Sequence, residues 1–409
     1  MEYVILGAGA AGMKAADTIR KADKEGNITV VSTDTQVHSR CMLHKYLSYE
    51  RDEQHLNFAD EDFFEKNRIC WIPGKSAEKL DTKEKTVTLD DGKILRYDRL
   101  LIATGAESFI PPVGNLREAE NVFGLRHLRD AQAIRKMAEK AEKIVIIGSG
   151  LVGLDAAYGL MENGKKVSIV EMAGQILPVQ LDKTGAAEYQ KRFEDAGAVF
   201  YLGRKGADTV MNSEKKITAL VLDNGEQLPC DMIIVAAGVR SAVAGMEGEG
   251  IVIDRGIQVN GYLQTGAPDV YAAGDVTGLS GIWPNAQKQG ETPALNMCGS
   301  KVLYEDRYAL KNTINFFGLV SMCVGEIIPK EGDIVIARED SQNYKRVIIR
   351  EGKVAGVILQ GDISHAGIWQ YLIKNQISIS GIEKDIFDLN FGDFYGIKAN
   401  GEYQWKTAY

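Results

Sequence analysis

Cysteine is scarce in this chain: five in 409 residues, at positions 41, 70, 230, 298 and 323. The number is odd and no two stand as C-x-x-C, so neither a disulfide framework nor a zinc-ligand spacing is present, and no metal site is assigned. A reducing compartment follows. No apolar run is long enough to span a bilayer, and "MEYVILGAG" enters a strand without a basic and apolar leader, so the expectation is a cytoplasmic protein with no membrane insertion. Positive charge is also in deficit. With a net charge of −8, a pI near 5.4 and no basic stripe interleaved with aromatics, nucleic acid is not an expected partner. Proline is rare, 9 residues against 43 glycines, which favours tight turns over rigid linkers. What remains, 45% hydrophobic and 25% charged, is ordinary globular composition in a chain long enough for two or three domains.

Two stretches repeat one pattern: "YVILGAGAAGMKAADTI" at 3–19 and "IVIIGSGLVGLDAAYGL" at 144–160. Each runs from apolar β-branched residues through G-x-G-x-x-G into an Ala-rich helix, and each is followed by a second apolar strand, "ITVVS" or "KVSIVE". This is the strand, tight turn, helix, strand order of a dinucleotide-binding unit, present twice. The first glycine makes the turn, the second lets backbone approach a pyrophosphate, and the third lets helix and strand pack closely. The helix N-terminus offers free N–H groups and roughly half a positive charge to the phosphates.

Between the two units, 70–95 reads as short strands with turns, followed by "YDRLLIATGA" at 97–106, and 127–141 has helical character. After "MIIVAAGVR" at 232–240, the stretch 256–276 predicts a hairpin and a strand ending at Gly274 and Asp275. From about 314 the pattern changes to alternating strands and then helical "AGIWQYLIKN", a separate α+β domain.

With both fingerprints, "LLIATGA" and "VYAAGDV" in this order, the chain resembles the two-dinucleotide-fold flavoprotein reductases, the pyridine nucleotide-disulfide oxidoreductase superfamily. The resemblance implies an α/β protein with two Rossmann-like domains, one inserted in the other, plus a C-terminal α+β domain. The boundaries expected are 1–112 and 241–313 for the FAD-binding domain, 113–240 for the NAD(H)-binding domain and 314–409 for the last. FAD and NADH are the implied cofactors. Gly7, Gly9 and Gly12 would cradle the FAD pyrophosphate, with Thr104, Gly105, Gly274 and Asp275 along the flavin, ribityl chain and diphosphate. Asp34 is the candidate for the adenosine ribose. Gly148, Gly150 and Gly153 would hold the nicotinamide dinucleotide, with Gly238 of the "AAGVR" turn also at the cofactor. Glu171 ends the next strand, 18 residues after Gly153; a carboxylate there accepts from a 2′-hydroxyl and repels a 2′-phosphate, favouring NADH over NADPH.

The segment "HSRCMLHKYL" at 38–47 separates subgroups. It lacks the C-x-x-x-x-C dithiol of glutathione reductase-like members. It is similar to the R-P-x-L-S-K segment of rubredoxin, ferredoxin and nitrite reductases at Arg40, Leu43 and Lys45, and departs at Cys41 and His44. In those relatives a lysine and an acid, here Lys45 and Asp155, meet near flavin N5. "GIWPNAQKQG" at 281–290 matches the segment that lies against the isoalloxazine, through Trp283 and Gln289. The single-cysteine NADH oxidases and CoA-disulfide reductases supply a second template, which places Cys41 in the redox position; Met42 and Ala10 depart from it. Beside Arg40 and Lys45, a thiol is expected to fall below its free pKa of about 8.5. His38 and His44 are given no catalytic role, and the other four cysteines read as structural.

The resemblance therefore implies an FAD enzyme that takes hydride from NADH and passes electrons to a small rubredoxin- or ferredoxin-like protein or a partner subunit. The alternatives are a Cys41-dependent reductase of CoA disulfide, polysulfide, peroxide or oxygen, and a flavin-binding structural or interaction subunit. A homodimer is left open.

Overall fold

The computed structural model describes residues 1–305 and 311–405. Residues 306–310 of the expected second FAD segment and 406–409 of the expected C-terminal domain lie outside the described residues. Contacts divide the chain into two compact units. The first comprises Met1–Gly148, Val152–Val170 and Arg204–Glu305; the second comprises Ser149–Leu151, Glu171–Gly203 and the C-terminal residues.

The first unit opens with β1 (Glu2–Leu6), α1 (Ala10–Ala22), β2 (Asn27–Ser32), the one-turn helix α2 (Leu43–Leu47), β3 (Ile69–Pro73) and β4 (Arg99–Ile102). An antiparallel meander of Ala77–Asp81, Thr86–Leu89 and Ile94–Arg96 stands between β3 and β4. The pattern then restarts with β5 (Val122–Gly124), α3 (Leu128–Ala138), β6 (Lys143–Ile147), α4 (Leu151–Met161) and β7 (Lys166–Glu171). Helix α5 (Lys183–Asp195) belongs to the second unit, and β8 (Met232–Val235) closes the restart in the parallel order β7-β6-β8-β5. The chain then returns with β9 (Val270–Ala272) to complete the first sheet, parallel throughout in the order β9-β4-β1-β2-β3, and ends the unit with α6 (Trp283–Met297). Strands covered on both faces read as continuous apolar runs, and Val4, Ile5, Leu6, Leu100, Leu101 and Ile102 are all buried.

The duplication seen in the sequence is steric as well as topological. Gly7 has φ +116°, and a Cβ on Gly12 would stand 1.9 Å from the Gly7 carbonyl oxygen. Gly148 has φ +104°, and a Cβ on Gly153 would stand 2.0 Å from the Gly148 oxygen. Only glycine permits that approach of helix to strand end.

The second unit holds an antiparallel sheet of β10 (Lys311–Phe316), β11 (Leu319–Gly325), β12 (Ile334–Glu339), β13 (Tyr344–Arg350) and β14 (Lys353–Gln360), in the order β10-β11-β14-β13-β12. Helix α7 (Ala366–Asn375) lays Ile368, Trp369, Leu372 and Ile373, one apolar stripe, on Met322, Val324, Val347 and Leu359. Helix α5 joins them through the Tyr189 hydroxyl, which donates to the Leu319 carbonyl at 2.9 Å, and through Gln360 Nε2, which donates to the Gly185 carbonyl at 2.9 Å. All six residues of β12, an edge strand, are exposed. Among the described residues no helix is long and apolar enough to cross a membrane.

Candidate active site

A cavity of about 500 Å³ opens over the C-terminal ends of the first sheet. Gly7 and Gly9 of the first fingerprint line it, as do Ala10 and Ala11 at the start of α1. That helix has no side-chain cap on its N-terminus and no acidic residue in its first turn, which leaves amide donors and the positive end of the dipole facing the cavity. Arg40 stands directly over them: a Cβ on Gly9 would come within 3.2 Å of Arg40 Nη1. The same wall continues through Thr104, Gly105, Gly274, Asp275 and Trp283. Thr104 Oγ1 donates to the Ala242 carbonyl at 2.7 Å, and the Gly274 amide donates to buried Gln289 Oε1 at 2.8 Å, so both turns are pinned. Trp283, the first residue of α6, packs edge-on to Phe58 with ring centroids 4.6 Å apart.

Asp34 was expected at the adenosine ribose, but it does not line the cavity; Ser32 and Thr33 do. Its carboxylate accepts from Arg40 Nη2 at 2.7 Å and meets His127 Nδ1 at 3.2 Å. His127 Nε2 meets the Glu107 carboxylate at 2.9 Å, so both ring nitrogens face carboxylates. Burial opposes charge at both groups. The His127 hydrogen bond and the Arg40 charge nevertheless hold Asp34 well below the usual carboxylate range, and the two carboxylates raise His127. A second pair, Arg126 and Asp275, stands on the same wall in direct contact. Arg126, Glu107 and His127 were not singled out by spacing or motif; Arg126 and Glu107 line the cavity, and His127 holds Glu107 and Asp34 from outside the lining. His38 is buried, and its Nε2 accepts from the first amide of α3 at 3.2 Å; burial pushes its pKa down to about 4, which keeps it neutral.

The structure does not pair Lys45 with Asp155. Lys45 Nζ donates to Glu50 at 2.5 Å, while Asp155, in the first turns of α4, faces His44 with Nδ1 3.6 Å from the carboxylate. Burial pushes Asp155 up to about 7 and His44 down to about 4. Cys41 is exposed on the cavity wall, and its thiol is not activated. Surrounding protein and then the Asp155 charge raise its pKa, outweighing Arg126 and Arg40. This reverses the expectation of a depressed value, because Arg40 directs its charge to Asp34 and Lys45 to Glu50.

At the second fingerprint, the Ser149 amide and hydroxyl both donate to Glu171 Oε2 at 2.8 Å, and the Ala173 amide donates to Oε1 at 2.8 Å. The carboxylate is thereby fixed at the end of β7 with lone pairs to spare. Gly238 sits at φ +99° in the turn after β8, outside the cavity lining.

An open helix N-terminus and an arginine over the second glycine, on the wall of a cavity of about 500 Å³, fit a dinucleotide diphosphate, and the same unit recurs in the chain. The fold and the site thus define a two-dinucleotide-fold oxidoreductase. Residues 1–290 match the pyridine nucleotide-disulphide oxidoreductase model and residues 311–377 the rubredoxin NAD+ reductase C-terminal domain, and the chain belongs to this family of NADH-dependent FAD oxidoreductases. It is 31% identical over 395 residues to the NADH-dependent phenylglyoxylate dehydrogenase subunit epsilon of Aromatoleum evansii, covering 93% of each chain. It is 29% identical to the nitrite reductase [NAD(P)H] of Bacillus subtilis, where it spans 94% of this chain and 48% of that one. The crystal structure of NADH:rubredoxin oxidoreductase from Clostridium acetobutylicum superposes with a TM-score of 0.77 at 25% identity, covering 94% of this chain and 97% of that one.

Proposed function

We propose that the chain takes hydride from NADH by way of a bound FAD and passes electrons on to a small rubredoxin- or ferredoxin-like protein or to a partner subunit. The FAD supplies the two-electron to one-electron chemistry; the protein binds, orients and excludes water. Residues 1–112 and 241–313 would hold FAD, 113–240 NADH, and 314–409 would form the C-terminal domain. The α1 N-terminus with Gly7, Gly9 and Gly12 would hold the diphosphate together with Arg40. Thr104, Gly105, Gly274, Asp275 and Trp283 would line the flavin and its ribityl chain. Gly148, Gly150, Gly153 and Gly238 would take the nicotinamide dinucleotide, with Glu171 accepting from its 2′-hydroxyl.

The observation that supports this reading over a thiol mechanism is that the cations flanking Cys41 are engaged by carboxylates, Arg40 by Asp34 at 2.7 Å and Lys45 by Glu50 at 2.5 Å. The exposure of Cys41 on the cavity wall is the feature that keeps a Cys41-dependent reductase as the second reading. Anaerobic titration with NADH should bleach the visible band of the bound flavin, and Cys41→Ser should keep NADH turnover with both a dye and the native acceptor. A flavin that NADH leaves oxidised would point to a structural or interaction subunit instead. Loss of acceptor turnover alone in Cys41→Ser would support the thiol mechanism.

A further inference from the structure

Electron transfer through a bound flavin leaves one cluster beside the cavity without a role, and a role for that cluster rests on the electron-transfer reading. Behind Cys41, His44 on α2 and Asp155 on α4 face each other at 3.6 Å. The two helices are in close contact there: a Cβ on Gly159, one turn along α4, would stand 2.6 Å from the His44 carbonyl oxygen. The cation that the resemblance assigns to Asp155 is engaged elsewhere, since Lys45 donates to Glu50. We propose that His44, in place of Lys45, is the positioning partner of Asp155, and that the two side chains share one exchangeable proton beside the flavin end of the cavity.

The surroundings favour a shared proton over an ion pair. Burial, Lys45 and Arg51 press His44 toward the neutral form, and Glu50 and a hydrogen bond to the Cys41 backbone partly offset them. On the cavity side, Cys41 feels Asp155 and Asp275 against Arg126 and Arg40. No cation lowers Asp155, and burial acts on it alone. Taken together, the acid and the imidazole that faces it at 3.6 Å carry no net charge with one proton and one negative charge without it. The proton sits on the carboxyl oxygen or on the imidazole nitrogen, and its departure breaks that O–H or N–H bond to a water or cavity group. Negative charge arriving in the cavity raises the unit's proton affinity, and charge leaving lowers it. A Lys45 partner would instead have held Asp155 permanently ionised.

Infrared spectra of the FAD-loaded protein between about pH 5 and about pH 9 read this carboxyl directly through its protonated C=O stretch. A band that titrates near neutrality should be present in the natural protein and missing in Asp155→Asn. In His44→Gln its midpoint should fall by about one pH unit, a tenfold loss of proton affinity, because an amide N–H stabilises the ionised carboxylate. In Lys45→Met the midpoint should stay in place. A midpoint that moves in Lys45→Met and not in His44→Gln would return Asp155 to Lys45 and overturn the proposal. So would the lack of any titrating band that Asp155→Asn removes. If His44→Gln does not fold, histidine nitrogen NMR of the natural protein decides: the His44 shifts must titrate with the carboxyl midpoint, and a separate midpoint rejects the dyad. Failure of NADH to bleach the flavin would instead reject the electron-transfer reading and leave these titrations unchanged.

Discussion

Side-chain identity and side-chain partner are separate questions at this site, and Lys45 shows why. Consecutive residues of a helix point about 100° apart, so in the single turn of α2 either His44 or Lys45 can face α4, but not both. The motif register marked Lys45, whereas in the structure His44 faces Asp155 and Lys45 turns to Glu50. Cys41 follows from the same neighbours. Alkylation of Cys41 by iodoacetamide should be slow at neutral pH and rise with pH, and Asp155→Asn should speed it at neutral pH by removing a charge that disfavours the thiolate; an unchanged rate would detach Cys41 from Asp155. His127 makes a separate, thermodynamic prediction. Its folded pKa lies above the free value of 6.5, so its stabilisation is complete below that pH and is lost as pH rises through the folded value. Asp34 runs the other way: depressed when folded, it stabilises above its free value and fails only in acid. His127→Gln, which removes one of the two partners of buried Asp34 and leaves Arg40 in place, should cost roughly 2 kcal/mol near pH 6 in urea unfolding. Half-exposed Glu107 adds little to that figure, and the difference should narrow toward pH 9.

At the level of elements, the two fingerprints, the strand ahead of Gly274 and helix α7 were legible in the sequence, because each rests on a local demand. A glycine with no room for a Cβ, or an apolar stripe at helical spacing, leaves its mark in consecutive residues. The network of Asp34, His127, Glu107, Arg126 and Asp275 left none: its members are scattered along the chain, and charges at such positions read as ordinary surface. The glycines also separate folding from binding. Gly12→Ala drives a methyl into backbone and should destabilise the first fold by roughly 2 kcal/mol, with loss of FAD. Gly9→Ala meets no backbone, only Arg40 Nη1 at 3.2 Å. Its urea midpoint should match the natural protein while FAD affinity, followed by fluorescence on dilution, drops. Glu171 joins both roles, since it anchors the fingerprint loop through Ser149 and faces the expected ribose. Glu171→Gln should lower the NADH-to-NADPH ratio of kcat/KM by about tenfold, the value of one charge-assisted hydrogen bond.

For the whole molecule, charge and edges set the terms of association. The net charge of −8 supports solubility, whereas β12 presents Ile334, Val335 and Ile336 on an unpaired edge at 60%, 42% and 37% exposure. Exposed apolar edges promote strand-to-strand association. Val335→Lys should leave the urea midpoint unchanged and raise the concentration at which light scattering first reports aggregates; no rise would mean that the edge is already protected. The pinning of Arg40 by Asp34, which His127 and Glu107 brace in turn, has a consequence for cofactor loading. An arginine held by protein groups has already lost its rotamer freedom, so a diphosphate arriving at α1 meets a fixed cation and does not have to organise one. Cofactor loading would then cost less side-chain ordering than at a site whose cation has to be gathered as the ligand arrives.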